Sequence, residues 1–249
     1  KAVATLDMET SVVNDMVSKT IYAVSNDLTR PALCGVLWEV KKDALTLVAT
    51  DGHRLSRIIR SGEYGDFEGK DFIVSPKALN LLKSLIDNKE KAKIVFAENH
   101  VTFDLEDSVI YSRLLEGPFP DYTQVIPKNN EKELVVNREE FTDACKRVAI
   151  LSSVITHQVK LAVGKDAMTI SVNTPDVGEA VEEVHCSFAH DPMDIGYNAR
   201  YLLDILKTMP TDDVTFLLDR SDNAGMLLPV GESEDLQYHC LLMPLRLND

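Results

Sequence analysis

Lys42-Asp43-Ala44-Leu45-Thr46-Leu47 returns about 123 residues later as Lys165-Asp166-Ala167-Met168-Thr169-Ile170. Both hexamers place a charged pair ahead of alternating apolar and polar residues, the pattern of a short turn entering a half-buried strand. A second match follows in the same order: Leu81-Leu82-Lys83-Ser84-Leu85 returns as Ile205-Leu206-Lys207-Thr208-Met209, one residue further on. In a chain of 249 residues each copy occupies about half. Such a period denotes two duplicated globular domains, since solenoid repeats run to about 20–50 residues.

Working outward, each half carries the same parts in the same order: an opening helix, alternating strands, a second helix, then more strands. Thr10 or Ser11 can cap a first helix whose apolar residues Val12, Met16, Ile21 and Val24 fall at helical spacing. Asn137 followed by Glu140 makes a capping box for the helix that opens the second half, with Phe141, Cys145, Val148 and Ala149 behind it. The later helices start at Ser75-Pro76, a cap followed by proline at the first helical position, and at Asn198; Met209-Pro210 stops the latter. Residues 36–50, 92–105, 159–173 and 213–219 alternate apolar with polar residues around short turns. The pattern predicts an α+β chain of two domains, each with two helices packed on antiparallel sheets. These are residues 1–127 and 128–249, joined in the stretch 126–134, where Pro127 and a polar run break the pattern.

Composition excludes several classes. With 45% apolar and 27% charged residues, 11 Gly and 10 Pro, the chain is neither disordered nor fibrous. No run approaches 18 apolar residues, and the opening KAVATLDMET lacks a basic segment followed by an apolar one, so no transmembrane or secretory segment is expected. Lys1 in place of Met suggests a processed boundary. The formal charge of −14 means that the surface on average repels nucleic acid. Cys34, Cys145, Cys186 and Cys240 are scattered, with no CxxC pair and no His at ligand spacing. That disfavours disulfides and a zinc site, favours a reducing cytoplasm, and leaves no metal or cofactor expected. His185-Cys186 lies in a strand-like run, 182–188, that points neighbours to opposite faces, which argues against a nucleophile and base there.

Three further segments go beyond generic patterning: Ala49-Thr50-Asp51-Gly52-His53-Arg54-Leu55, then Phe119-Pro120-Asp121-Tyr122, then Met243-Pro244-Leu245-Arg246-Leu247. In this order and spacing they make the chain resemble the bacterial sliding clamps, the beta subunits of DNA polymerase III. The resemblance runs over the whole chain and covers the second and third of the clamp's three similar domains. It implies a duplicated DNA-clamp fold and a non-catalytic processivity factor: two crescents joined head to tail around duplex DNA. Polymerases, the clamp loader and repair proteins would be tethered by short linear motifs in a hydrophobic peptide-binding cleft. A ring holds DNA topologically, so a strongly acidic exterior is compatible with a mildly basic lumen. Lys19, Lys77, Lys83, Lys146, Arg147, Arg200 and Lys207 fall on the four predicted helices, which in clamps line the hole. Their plain reading is solvated helix faces; as lumen residues they would make sparse, non-specific, salt-sensitive phosphate contacts.

Asp51 and His53 invite a general acid/base reading, but no nucleophile or second carboxylate is set beside them, and Asp-Gly after a strand is a common turn signal. The resemblance implies instead that Thr50, Gly52, His53, Arg54 and Leu55 form one wall of the partner cleft. Gly52 would let the backbone come close, Leu55 would give apolar contact, and His53 and Arg54 edge polarity. Leu33 matches another cleft position, with Pro31 and Ala32 replacing the aromatic residues common beside it. The tail from Cys240 to Leu247 reads as a last core strand, and because Pro244 cannot donate to a ladder the residues after it should leave the sheet for the surface. By resemblance Leu241, Met243, Pro244, Leu245 and Arg246 complete the cleft with Pro120 and Val125, while Asn248-Asp249 extend past the usual terminal leucine. The carboxylates of 179–184 read as protection of a strand edge. The resemblance places Glu179, Glu182 and Glu183, with Ile150 and Leu151, at the head-to-tail subunit interface. Its partner surface lies on the clamp's first domain, so the homodimeric ring needs that domain, and these two alone are expected to be monomeric or weakly self-associated. The alternative reading is a free-standing two-domain peptide-binding adapter without a DNA role.

Overall fold

The computed structural model describes residues 2–65, 70–175, 177–231, 233 and 235–247. Lys1, Asn248 and Asp249 therefore lie outside the described residues. The chain divides into two compact units, Lys1–Gln124 with Ser233–Tyr238, and Val125–Glu232 with His239–Asp249.

The first unit runs β1 (Ala2–Glu9), α1 (Thr10–Ser18), β2 (Val36–Val40), β3 (Ala44–Thr50), β4 (Arg54–Ser61), β5 (Lys70–Val74), α2 (Pro76–Leu85), β6 (Lys91–Ala97), β7 (His100–Asp104) and β8 (Val109–Arg113). The second repeats that order: β9 (Lys132–Asn137), α3 (Arg138–Ala149), β10 (Gln158–Val163), β11 (Ala167–Thr174), β12 (Gly178–Phe188), β13 (Met193–Asn198), α4 (Ala199–Thr208), β14 (Asp213–Leu218), β15 (Gly225–Pro229) and β16 (Leu236–Leu242). Pairing is antiparallel in both units, in the orders β1-β6-β7-β8 and β5-β2-β3-β4, matched by β9-β14-β15-β16 and β13-β10-β11-β12. The repeated hexamers occupy equivalent hairpins, closed by Lys41 N–H on Ala44 O and by Gly164 N–H on Ala167 O, both at 3.0 Å.

Three helix starts follow the local signals. Ser75 Oγ accepts the Ala78 amide at 3.3 Å; Asn137 Oδ1 accepts from Glu139 and Glu140; Asn198 Oδ1 accepts from Arg200 and Tyr201. The fourth differs. Glu9 holds the capping position without a side-chain bond, and Thr10 gives its hydroxyl to Lys89 O and its amide to Glu90 O. Moreover α1 ends at Ser18, and Ile21–Ala23 forms a separate short turn. Each half also opens on a strand rather than a helix. In β1 the alternation Ala4, Leu6, Met8 is buried against β6, a period of two that continues directly into the helical pattern.

Each unit has its own core. Trp38, Phe72, Phe96 and Phe103 cluster in the first, with Phe72 stacked on Phe96 at 4.3 Å. In the second Tyr197 stacks on Phe216 at 5.2 Å, beside fully buried Phe141 and Phe188. Burial pushes the Cys145 thiol up to about 12, which removes it as a nucleophile. Among the described residues no helix is long and apolar enough to cross a membrane.

The segment that follows the last strand of each half returns to the same place. Leu115 N–H donates to Ile73 O at 2.9 Å, and Leu245 N–H to Gly196 O at 2.8 Å. The tail thus leaves β16 at Met243 and docks on β13 through Leu245.

Candidate functional site

The turn from Thr50 to Leu55 joins β3 to β4 and is built around Asp51. One carboxylate oxygen accepts the His53 and Arg54 amides at 2.8 and 3.0 Å; the other takes Arg54 Nε at 3.1 Å. Thr50 Oγ1 donates to Arg54 O, and Gly52, with φ of +94°, occupies the left-handed region that its missing Cβ permits. This geometry gives Asp51 a structural role and corrects the assignment of Arg54. Arg54 is 8% exposed, donates to Tyr22 O at 2.7 Å and lies over the Tyr22 ring, so it is a buried brace and no source of edge polarity. His53 and Gly52 are exposed, and Thr50 is half-buried.

Leu33 and Leu55 are buried at 7% and 2% exposure, hence core positions of the first unit with little side chain to offer a ligand as they stand. Pro120 is exposed in a turn whose Asp121 accepts from Thr123 and Gln124, while Tyr122 is buried and donates to Glu39 at 2.8 Å. Burial, and then that acceptor, hold the Tyr122 hydroxyl above the ordinary tyrosine range. One brace was not read from sequence. Arg30 pairs with Asp27 at 3.0 Å and donates to Asp51 O at 3.1 Å, tying the loop that carries Leu33 to the turn at Gly52. Its signal was the Asp27-x-Thr29-Arg30 spacing of a side-chain-capped turn.

In the second unit Val125 and Met243 are exposed at 54% and 41%, whereas Leu241 is closed in the core at 4%. Pro244 and Leu245 are half-buried and Arg246 is exposed. Of the cations placed on helices, Lys77, Lys146, Arg200 and Lys207 are exposed and Lys83 is half-buried. Lys19 is not available. It follows the end of α1, is 6% exposed, pairs with Asp15 at 2.8 Å and lies over the Tyr238 ring. Arg147 is exposed but forks onto both oxygens of Glu182 at 2.8 and 3.1 Å, which holds that carboxyl below its usual range. The structure thus joins a residue assigned to DNA with one assigned to a subunit contact. After α3, Ile150, Val154 and Ile155 are largely exposed and Leu151 is half-buried; on β12, Val181, Glu179 and Glu183 are exposed. Among the described residues no group of three or more His, Cys, Asp or Glu side chains is placed to hold a metal ion.

Comparison with known proteins covers both units. Residues 7–121 match the family model of the DNA polymerase III beta subunit central domain, and residues 123–246 that of its C-terminal domain. The chain is 32% identical over 244 residues to the beta sliding clamp of Pseudomonas putida, covering 98% of this chain and 66% of that protein. It is 34% identical over 245 residues to that of Staphylococcus aureus, covering 97% and 64%. The chain therefore spans just under two thirds of the length of these relatives. Among solved structures, the Pseudomonas aeruginosa sliding clamp superposes with a TM-score of 0.94 at 29% identity, over 99% of this chain and 68% of that one. The Bartonella birtlesii clamp bound to griselimycin gives 0.90 at 30%, over 99% and 67%. With residues 7–121 and 123–246 matched by two successive domains of one protein and the fold shared with its solved structures, the chain belongs to the bacterial sliding clamp family, the beta subunit of DNA polymerase III.

Proposed function

We propose that this chain is the part of a ring-forming processivity factor that carries the partner site. It makes and breaks no bond. It surrounds duplex DNA as part of a homodimeric ring and tethers polymerases, the clamp loader and repair proteins by their short linear motifs. The observation that carries the partner site is Met243, an adaptable apolar side chain 41% exposed at the exit of a buried strand and followed by a docked tail. In the same unit Val125 and Pro244 are also accessible and Leu241 is a core residue; of the members of the peptide-binding set in the first unit, His53 and Pro120 are accessible and Leu33 and Leu55 are core residues. The exposed apolar residues Ile150, Val154 and Ile155 after α3 and Val181 on β12 support a subunit contact there. A labelled peptide with glutamine followed by leucines and a phenylalanine tests the reading. It should bind the chain at about micromolar Kd, since two buried side chains contribute roughly 3–6 kcal/mol before ordering costs. No binding at about a hundredfold higher concentration would overturn it.

With Lys19 buried and Arg147 forked onto Glu182, the set left to meet phosphate is at most Lys77, Lys83, Arg200, Lys207 and Lys146, the last singly paired with Asp143 at 3.1 Å. Linear duplex should bind weaker than about micromolar at physiological salt, with a log–log salt slope no steeper than about −4.5. A steeper slope or tighter binding would indicate a conventional DNA-binding surface.

A further inference from the structure

The docking of the tail has a counterpart in the first unit, and the two differ in an informative way. Strand registers make Gly35 equivalent to Gln158, and Ile73 equivalent to Gly196. In the first unit the crowded position is at Gly35, where a Cβ would come within 2.7 Å of Ile73 Cγ2 and of Leu115 Cδ1 and 2.8 Å of Val74 O. In the second it is at Gly196, where a Cβ would meet Leu245 O at 2.7 Å and Leu247 Cδ2 at 2.9 Å. The small and the large residue have exchanged strands. Both straps keep the same backbone bond, Leu115 N–H on Ile73 O and Leu245 N–H on Gly196 O; what has changed is that the Ile73 and Leu115 side chains lie over Gly35, whereas in the second unit Gln158 Nε2 donates to Arg246 O at 3.1 Å. Gly196 is not among the residues of positive φ, so it supplies room rather than an unusual backbone.

We propose that Gly196 and Gln158 are positioning residues for partner binding, holding residues 243–247 as an ordered strap so that Met243 is presented before a peptide arrives. This rests on the peptide-binding reading above. Affinity depends on the strap because a chain segment that must be ordered during binding subtracts its conformational entropy from the gain. Neither residue touches the peptide.

The full chain carrying Gly196→Ala tests this, since alanine suits the backbone but its Cβ displaces the strap. We expect about tenfold weaker binding of the same glutamine-leucine-phenylalanine peptide, loss of exchange protection at the Leu245 amide, and a melting temperature within about 2 °C of the parent. Gln158→Ala should cost about threefold. Gly196→Ile should bind worse than Gly196→Ala, and adding Gln158→Gly to it, which copies the Gly35–Ile73 arrangement, should bring affinity back to within about threefold of the parent. Parent-like binding by Gly196→Ala, retained Leu245 protection, or no rescue by the double variant would each overturn the proposal. If the parent binds the peptide and Met243→Asp does not, yet Gly196→Ala binds as the parent does, only the strap falls. If the parent itself fails to bind, the peptide-binding reading falls, and this inference with it.

Discussion

Met243→Asp should weaken binding of the glutamine-leucine-phenylalanine peptide by at least about a hundredfold while leaving the melting temperature within about 2 °C of the parent. The side chain is 41% exposed and sits beyond the last paired residue of β16, so a carboxylate there disturbs neither ladder nor core. It does place a charge where a ligand's leucine or phenylalanine must lose its water, and a carboxylate shut against hydrocarbon without a partner is costly. Lys77→Ala, a change on the exposed face of α2, should leave peptide affinity unchanged. Isothermal titration of the three proteins decides the matter. Equal losses in both variants, or a Met243 variant that unfolds, would return the tail to a plain core strand.

Arg54→Ala is expected to have the largest effect on stability, about 2–4 kcal/mol and a fall in melting temperature of roughly 10 °C. The side chains of Arg54 and Asp51 are 9% and 13% exposed and meet at 3.1 Å. Truncation strands a largely buried carboxylate on its two backbone donors and removes a charged donor from the Tyr22 carbonyl. Arg54→Lys keeps the charge but not the planar fork and should fall between. Differential scanning calorimetry checks this. An alanine variant that melts with the parent but loses peptide affinity would restore Arg54 to the rim of the site.

What could be read from sequence was what is local. The repeated hexamers are hairpin turns, and Ser75, Asn137 and Asn198 cap helices, because those signals lie within a few residues of what they control. Burial was harder. Periodicity puts Lys19 on the predicted first helix, whereas α1 stops at Ser18, and it does not show that Tyr238, 219 residues on, closes over the backbone and side chain of Lys19. TDGHRL reads as a turn with a polar rim, yet which of its charges turns inward depends on Tyr22, brought against β4 only by the tertiary fold. Leu33, Leu55 and Leu241 are apolar whether they line a groove or fill a core, so residue type alone could not separate the two.

The start of α1 carries a consequence for how the chain folds. Its first amide and its threonine hydroxyl are satisfied by Glu90 and Lys89, some 80 residues away, whereas α3 and α4 carry their caps in the preceding residue. Closing a loop of that length must precede the reward, so α1 cannot nucleate on its own signal and waits for β6. The duplicated halves, alike at the end, would then be reached by different routes. Pulsed hydrogen exchange during refolding would show it as protection in α4 and α3 ahead of α1, and simultaneous protection in all three would refute it.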